Sequence, residues 1–167
     1  MKFAYLALFL AFPITSCLPQ ARTNQLTPVV RSSTQTGQPV TVSTKGGSDQ
    51  AEMDGIGVTS GDFKDALESS LVSSGLFQQI GEGGYHLQAK IVDIDYPASA
   101  FSVVTKVEVS YTLQKGSAVV WRDQIRSSHQ TQTGEAFLGE FRERMSTEKA
   151  VQANIRIAIS AMSERLK

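Results

Sequence analysis

Apolar and polar positions alternate most clearly between residues 101 and 114. Phe101, Val103, Val107, Val109, Tyr111 and Leu113 fall on one face, broken only by Thr105. Ser102, Lys106, Glu108, Ser110, Thr112 and Gln114 fall on the other, where Val104 is the exception. Period two over so long a run predicts an antiparallel strand with one buried and one wet face. Lys115, Gly116 and Ser117 make a tight turn into a hairpin partner, Ala118 to about Gln130, with Val119, Trp121 and Ile125 at odd positions. Upstream, Tyr85, Leu87, Ala89 and Ile91 alternate with His86, Gln88 and Lys90. The apolar positions then slip to Val92 and Ile94, which predicts a bulge or a strand buried on both faces. Val40 and Val42 in the segment 39–44 mark a short first strand.

The period changes to that of a helix in two places. Phe63, Ala66, Leu67 and Leu71 recur at i, i+3, i+4 and i+8, with Asp62 as the expected cap and Gly75 as the stop, which predicts a helix over 62–74. Val151, Ile155, Ala158, Ile159, Met162 and Leu166 form a second stripe, whose helix Ser146 or Thr147 would cap. Between Thr133 and Arg144 lies a glycine-marked segment, and whether 134–146 is a loop or an extension of this helix stays open. The order β-α-β-β-β-α predicts an α+β fold with two helices packed on one face of a mainly antiparallel sheet of three or four strands.

Composition narrows the picture. The 167 residues carry 16 Lys plus Arg against 16 Asp plus Glu, a formal net charge of zero. That balance excludes a nucleic-acid partner, since such a protein needs a basic face to displace counterions from phosphates. A single cysteine forbids an internal disulfide and any multi-cysteine metal site.

That cysteine decides the compartment. Lys2 precedes an unbroken apolar run, residues 3–12, which is too short to cross a bilayer as a helix (about 20 residues are needed) but suits a signal peptide. Pro13 ends the run, and Ile14, Thr15, Ser16 and Cys17 follow. This sequence resembles the lipobox of bacterial lipoproteins. The resemblance implies cleavage between Ser16 and Cys17, a diacylglyceryl group on the Cys17 thiol, and acylation (palmitate in kind) of the new N-terminus. Each buried methylene would add about 0.8 kcal/mol to the anchor. Leu18 stands where Asp would otherwise follow the cysteine, and the resemblance to enterobacterial lipoproteins and their sorting rules implies the outer membrane rather than the inner, with the protein on its periplasmic face. Residues 1–16 are then the lipoprotein signal peptide, 17–38 a lipidated flexible tether rich in polar uncharged residues, and 39–167 the periplasmic domain. Val29 and Val30 leave open an edge strand within the tether.

Candidate chemistry is sparse. Gly55, Gly57 and Gly61 precede a helix, but their spacing is one residue too long for a dinucleotide fingerprint and the setting lacks a ribose-binding acid. His86 and His129 fall on strands among polar neighbours, with no nucleophile elbow for either to serve. Asp93 and Asp95 share a strand face and offer two oxygens, too few for a cation site. No catalytic residue, cofactor or metal is therefore expected. The segment 134–145 stands out, because Phe137, Leu138 and Phe141 are apolar residues set among Glu135, Glu140, Arg142, Glu143 and Arg144. They either cover the end of the core or form a partner surface, with Arg142 and Arg144 able to bind a phosphate or carboxylate bidentately.

Four further features carry a family resemblance: Asp62 to Leu76 (D-F-x-x-A-L-x-x-S-L-x-x-x-G-L), the Tyr111 to Leu113 strand running through a glycine turn into Val-Trp, Gly134 to Phe137 with Arg142 and Arg144 nearby, and Glu148 to Ile155. Together they resemble small proteobacterial envelope lipoproteins of the LptE, YajG and transport-auxiliary kind, over roughly residues 56–166. Some of these relatives carry the label UDP-N-acetylglucosamine acyltransferase. Such an enzyme resembles a β-helix of hexapeptide repeats, and no period of six occurs here. The resemblance implies a non-enzymatic lipoprotein whose domain binds an envelope protein or an assembly or transport complex. A lipid or small-molecule carrier is the alternative, and an envelope transferase or hydrolase a third reading. Oligomeric state is left open.

Overall fold

The computed structural model describes residues 23–47, 57–95, 102–132, 134–135 and 139–167. Its elements are α1 (Thr23–Leu26), β1 (Val40–Lys45), α2 (Ser60–Ser73), β2 (Tyr85–Asp95), β3 (Ser102–Lys115), β4 (Ala118–Gln132) and α3 (Gly139–Arg165). The strands form one sheet in the order β1-β2-β3-β4. β2, β3 and β4 are antiparallel neighbours, whereas β1 runs parallel to β2. A parallel pair needs a crossover, and the chain makes it through α2. The α+β fold expected from the order of elements is the one observed, with α2 and α3 packed against the sheet.

β3 shows why the alternation is legible. Val103, Thr105, Val107, Val109, Tyr111 and Leu113 are all buried and their even-numbered neighbours are not. Thr105, the polar residue in that row, spends its polarity on α3: its N–H donates to Ser146 Oγ (3.0 Å) and its hydroxyl meets Thr147 Oγ1 (3.4 Å). The slip in β2 is a bulge between Ile91 and Asp93 that leaves Val92 half exposed and carries Asp93 and Asp95 to the wet face, opposite Glu108 and Lys106.

A second bulge has no signal in the apolar pattern. Leu113 pairs with Trp121 but Gln114 with Val119, so Val120 is an extra residue in β4. Without it Ile125 would stand opposite Glu108 on the wet face; with it Ile125 pairs with Val109 and is buried. The same shift turns Val119, expected on the apolar side with Trp121, outward to 48% exposure.

Both helix starts differ from expectation. Thr59, not Asp62, caps α2: its hydroxyl accepts from the Asp62 N–H (3.0 Å) and donates to the Asp62 carboxylate (2.7 Å), which places Asp62 inside the first turn. At the far end Gly75 takes the left-handed conformation (φ +78°) that stops the helix. α3 starts at Gly139, so Ser146 and Thr147 are interior residues rather than caps. Their hydroxyls are committed elsewhere, because both face the sheet. Ser146 donates to the His129 carbonyl (2.7 Å) and Thr147 to the Glu143 carbonyl one turn back (2.8 Å).

The largest departure concerns the tether. Residues 23–38, expected to be flexible, lie on the body. Leu26 is fully buried, the Gln25 carbonyl accepts from Gln152 Nε2 (2.5 Å), and the Ser32 and Thr36 N–H groups donate to the Ser74 and Leu76 carbonyls (2.9 and 3.0 Å). Ser32 and Ser33 hydroxyls meet Ser163 Oγ on α3 (2.8 and 3.0 Å). A polar, proline-interrupted segment reads as a linker because it lacks apolar periodicity. Here backbone and hydroxyl hydrogen bonds to α3 and to the chain leaving α2 hold it, and no sequence period reports those. The edge strand at Val29 and Val30 does not form; Val29 is 93% exposed and Val30 packs against the core.

Candidate functional site

The layer between helices and sheet is filled. Tyr111, Phe63, Phe77, Leu67, Leu71 and Ile155 are among its fully buried side chains. One polar group sits at its centre. Asn154, in the apolar stripe of α3, accepts from the Tyr111 hydroxyl (2.8 Å) and donates to the Ile125 carbonyl (2.9 Å), the Val107 carbonyl (3.4 Å) and Ser127 Oγ (3.2 Å). Burial pushes the Tyr111 phenol well above its usual range, so it stays a donor. With every polar atom of Asn154 occupied, this cluster fixes α3 on β3 and β4 and offers nothing to a substrate.

Of the candidate partner-surface residues, Phe141, Arg142 and Arg144 are described. Cys17, Ser16 and Phe137 lie outside the described residues. Phe141 is 40% exposed near the start of α3, with the Arg144 guanidinium over its ring (5.0 Å to the centroid). Arg144 also pairs with Glu148 (3.7 Å). Arg142 and Arg144 are two residues apart on a helix and so point to different sides, which rules out the joint bidentate grip expected of a loop. Arg142 is part-buried, its Nε shielded from solvent and without a hydrogen-bond partner among the described residues. The structure therefore joins Phe141 to Arg144 and separates Arg142 from both.

β4 adjoins this turn and ends the sheet. Among the described residues no strand pairs with its outer side. Side chains occupy some of its backbone: its own Asp123 accepts from the Gln124 N–H (2.8 Å), Glu135 beyond its end accepts from the Gln132 N–H (2.8 Å), and Arg165 Nε of α3 donates to the Val120 carbonyl (3.1 Å). Arg126, Ser128 and Gln130 lie between these contacts. Charged and hydrogen-bonded ends keep a long edge from indiscriminate pairing while leaving its middle available.

The wet face of the sheet holds an open hollow of about 370 Å³ lined by Asp93, Asp95, Lys106, Glu108, Arg126 and Ser128. Lys106 pairs with Asp95 (3.5 Å), and Arg126 grips Glu108 with both Nε and Nη2 (3.0 Å each), with Gln124 donating to the same carboxylate. The Arg126 hydrogen bonds hold the Glu108 carboxyl below its usual range. Asp93 and Asp95 share this face as their spacing predicts; Lys106 and Arg126 pair with Asp95 and Glu108, and no metal-binding group of three ligands occurs among the described residues. The Glu108–Arg126 pair has no signal in the sequence, because the β4 bulge sets its register. His86 meets Ser43 (3.2 Å), and the described contact of His129 is made by its backbone carbonyl. Among the described contacts neither histidine side chain is paired with an acid. The glycines at 55–61 fall partly outside the described residues, and from Thr59 on they form the entry to α2.

Among the described residues no helix is long and apolar enough to cross a membrane. No family model matches this sequence, and no curated protein matches it either. Solved structures do share its fold. A protein of family DUF330 from Xanthomonas campestris aligns with a TM-score of 0.61 at 10% identity, covering 83% of this chain and 94% of its own. PelC from Paraburkholderia phytofirmans, described as a dodecamer, gives 0.52 at 13%, covering 82% and 92%. A minor lipoprotein from Acinetobacter baumannii gives 0.50 at 9%, covering 76% and 93%. At such identities the likeness establishes the architecture, one that proteobacterial lipoproteins also adopt.

Proposed function

We propose that this chain is a lipid-anchored envelope protein, held at the periplasmic face of the outer membrane through Cys17, whose domain binds a protein partner and carries out no chemistry of its own. The observation that carries the binding role is β4. It is a 15-residue strand at the edge of the sheet, with no strand on its outer side among the described residues. An edge of this kind accepts an added strand, main-chain hydrogen bonds supplying affinity and neighbouring side chains the selectivity. Phe141, backed by Arg144, is an aromatic anchor beside it. The fold it shares with a lipoprotein and with a protein that assembles as a dodecamer supports an anchored, associating module, so a second copy is one candidate partner. The packed layer between helices and sheet favours this reading over a carrier that holds its ligand there.

The test is photo-crosslinking in cells, from an amino acid placed at Gln130 and, separately, at Phe141. Both positions should trap the same discrete species, identified by mass spectrometry. An acylated, normally expressed chain that traps nothing from either position would overturn the binding role.

A further inference from the structure

The docked arm shortens the leash. The described part of the body reaches back at least to Thr23, because α1 and residues 27–38 are tied to α3 and to the chain that leaves α2 by the buried Leu26 and by the hydrogen bonds of Gln25, Ser32, Ser33 and Thr36. If Cys17 carries the lipid, only the links from Cys17 to Thr23 separate the bilayer from that body. Fully extended, they span about 20 Å. α3 alone, at 27 residues, is about 40 Å long. The leash is shorter than the body it holds, so the domain cannot turn its far side to the membrane, and the surface around Thr23 stays against the headgroups.

That surface has a composition suited to the place. Asn24, Thr27, Val29 and Arg31 of the arm, with Ser69 and Ser73 of α2, line an open hollow of about 670 Å³. Val29 is 93% exposed at its rim. Val72, 39% exposed, lies on α2 one turn from Ser69 and beside Ser73. An apolar side chain so far out in water finds a better solvent at the boundary between headgroups and acyl chains, and an arginine beside it matches a lipid phosphate. The tether keeps this surface at high effective concentration near the bilayer, so a weak intrinsic affinity suffices.

We infer that the arm–α2 surface is the membrane-resting face of the protein, with Val29 set into the phospholipid headgroup boundary and Arg31 against a headgroup phosphate. The consequence for the binding role is geometric. The wet face of the sheet, on the side away from α2 and α3, is turned toward the periplasm, and the β4 edge is held clear of the bilayer.

This inference rests on acylation at Cys17, and the experiment separates the two. Cys17 is the only cysteine in the chain, so once its thiol is acylated a Val29→Cys variant offers a single free thiol for an environment-sensitive fluorophore. A Ser110→Cys variant places the same probe on the wet face of β3. The full acylated chain is reconstituted in phosphatidylethanolamine–phosphatidylglycerol vesicles that contain a headgroup spin-labelled lipid. The inference expects quenching several-fold stronger at position 29 than at 110. Equal quenching at the two positions, in protein whose mass confirms the acyl groups, overturns the resting face and leaves the anchor standing. A chain that gains no acyl mass at Cys17 overturns the anchor and the resting face with it.

Discussion

The pairing of Tyr111 with Asn154 ties α3 to the sheet at a buried point, and its contribution can be measured. Both residues are fully buried, their side chains joined by a 2.8 Å hydrogen bond, and the amide nitrogen of Asn154 also donates to the Ile125 carbonyl at 2.9 Å. Asn154→Leu keeps much of the volume but strands the Tyr111 hydroxyl in the core and removes a donor from the β4 carbonyl. An unsatisfied buried group costs about 1–3 kcal/mol, while the added leucine recovers some apolar burial, so a net loss of about 2 kcal/mol is expected. Tyr111→Phe strands the Asn154 carbonyl instead and is expected to cost about 1–2 kcal/mol. With both changes the stranded hydroxyl and the stranded amide oxygen disappear together, while the Ile125 carbonyl still lacks its donor, and the double variant should be more stable than the sum of the singles by at least about 0.5 kcal/mol. Urea unfolding of residues 18–167, which lack the acylated cysteine, reads this directly. With a slope of about 1–3 kcal/mol per molar, Asn154→Leu lowers the midpoint by about 1 M. Strict additivity, or a wild-type midpoint for Asn154→Leu, would refute the claim that this hydrogen bond holds the helix in place.

Three further outcomes follow from the same geometry. Thr59→Ala should cost about 1 kcal/mol in urea unfolding by removing the hydroxyl that accepts from the Asp62 N–H, and an unchanged midpoint would mean that Thr59 is not the cap. Gly84→Ala should destabilise far more than a typical surface change. A methyl group there would overlap the Pro39 carbonyl oxygen, which accepts from the Tyr85 N–H (2.9 Å) where β1 and β2 meet, and loss of the folded circular dichroism signal or a large fall in midpoint would register it. Because burial raises the Tyr111 phenol above its usual range, its contribution is complete below about pH 10, where the unfolded phenol is also neutral, and declines as the pH rises further. Unfolding midpoints compared across alkaline pH should fall less steeply in Tyr111→Phe; parallel curves would sink this account.

Period and punctuation along the chain determined the elements. The even–odd split of β3, the stripe from Val151 to Met162 and the glycine at 75 each specify local structure through a rule that needs only neighbouring residues, and they suffice for an α+β fold and for its order. Asp93 and Asp95 were legible as a shared face for the same reason. The tertiary structure decided everything that depends on a distant partner. Val120 becomes a bulge because only that register buries Ile125 against Val109 and sets Arg126 opposite Glu108. Ser146 and Thr147 look like caps, yet they lie inside a longer helix because strand β3 and the carbonyl of His129 use the Ser146 hydroxyl. Continuing the helix back to Gly139 is also what parts Arg142 from Arg144. The arm is the extreme case. Nothing in the polar run from Ser32 to Gln38 forecasts order, since its hydrogen bonds end on Ser74, Leu76 and Ser163, which are brought to it by folding. The sequence alone marks Cys17 as the place for an anchor; only the tertiary structure shows that the arm from Thr23 to Gln38 lies on the body rather than apart from it.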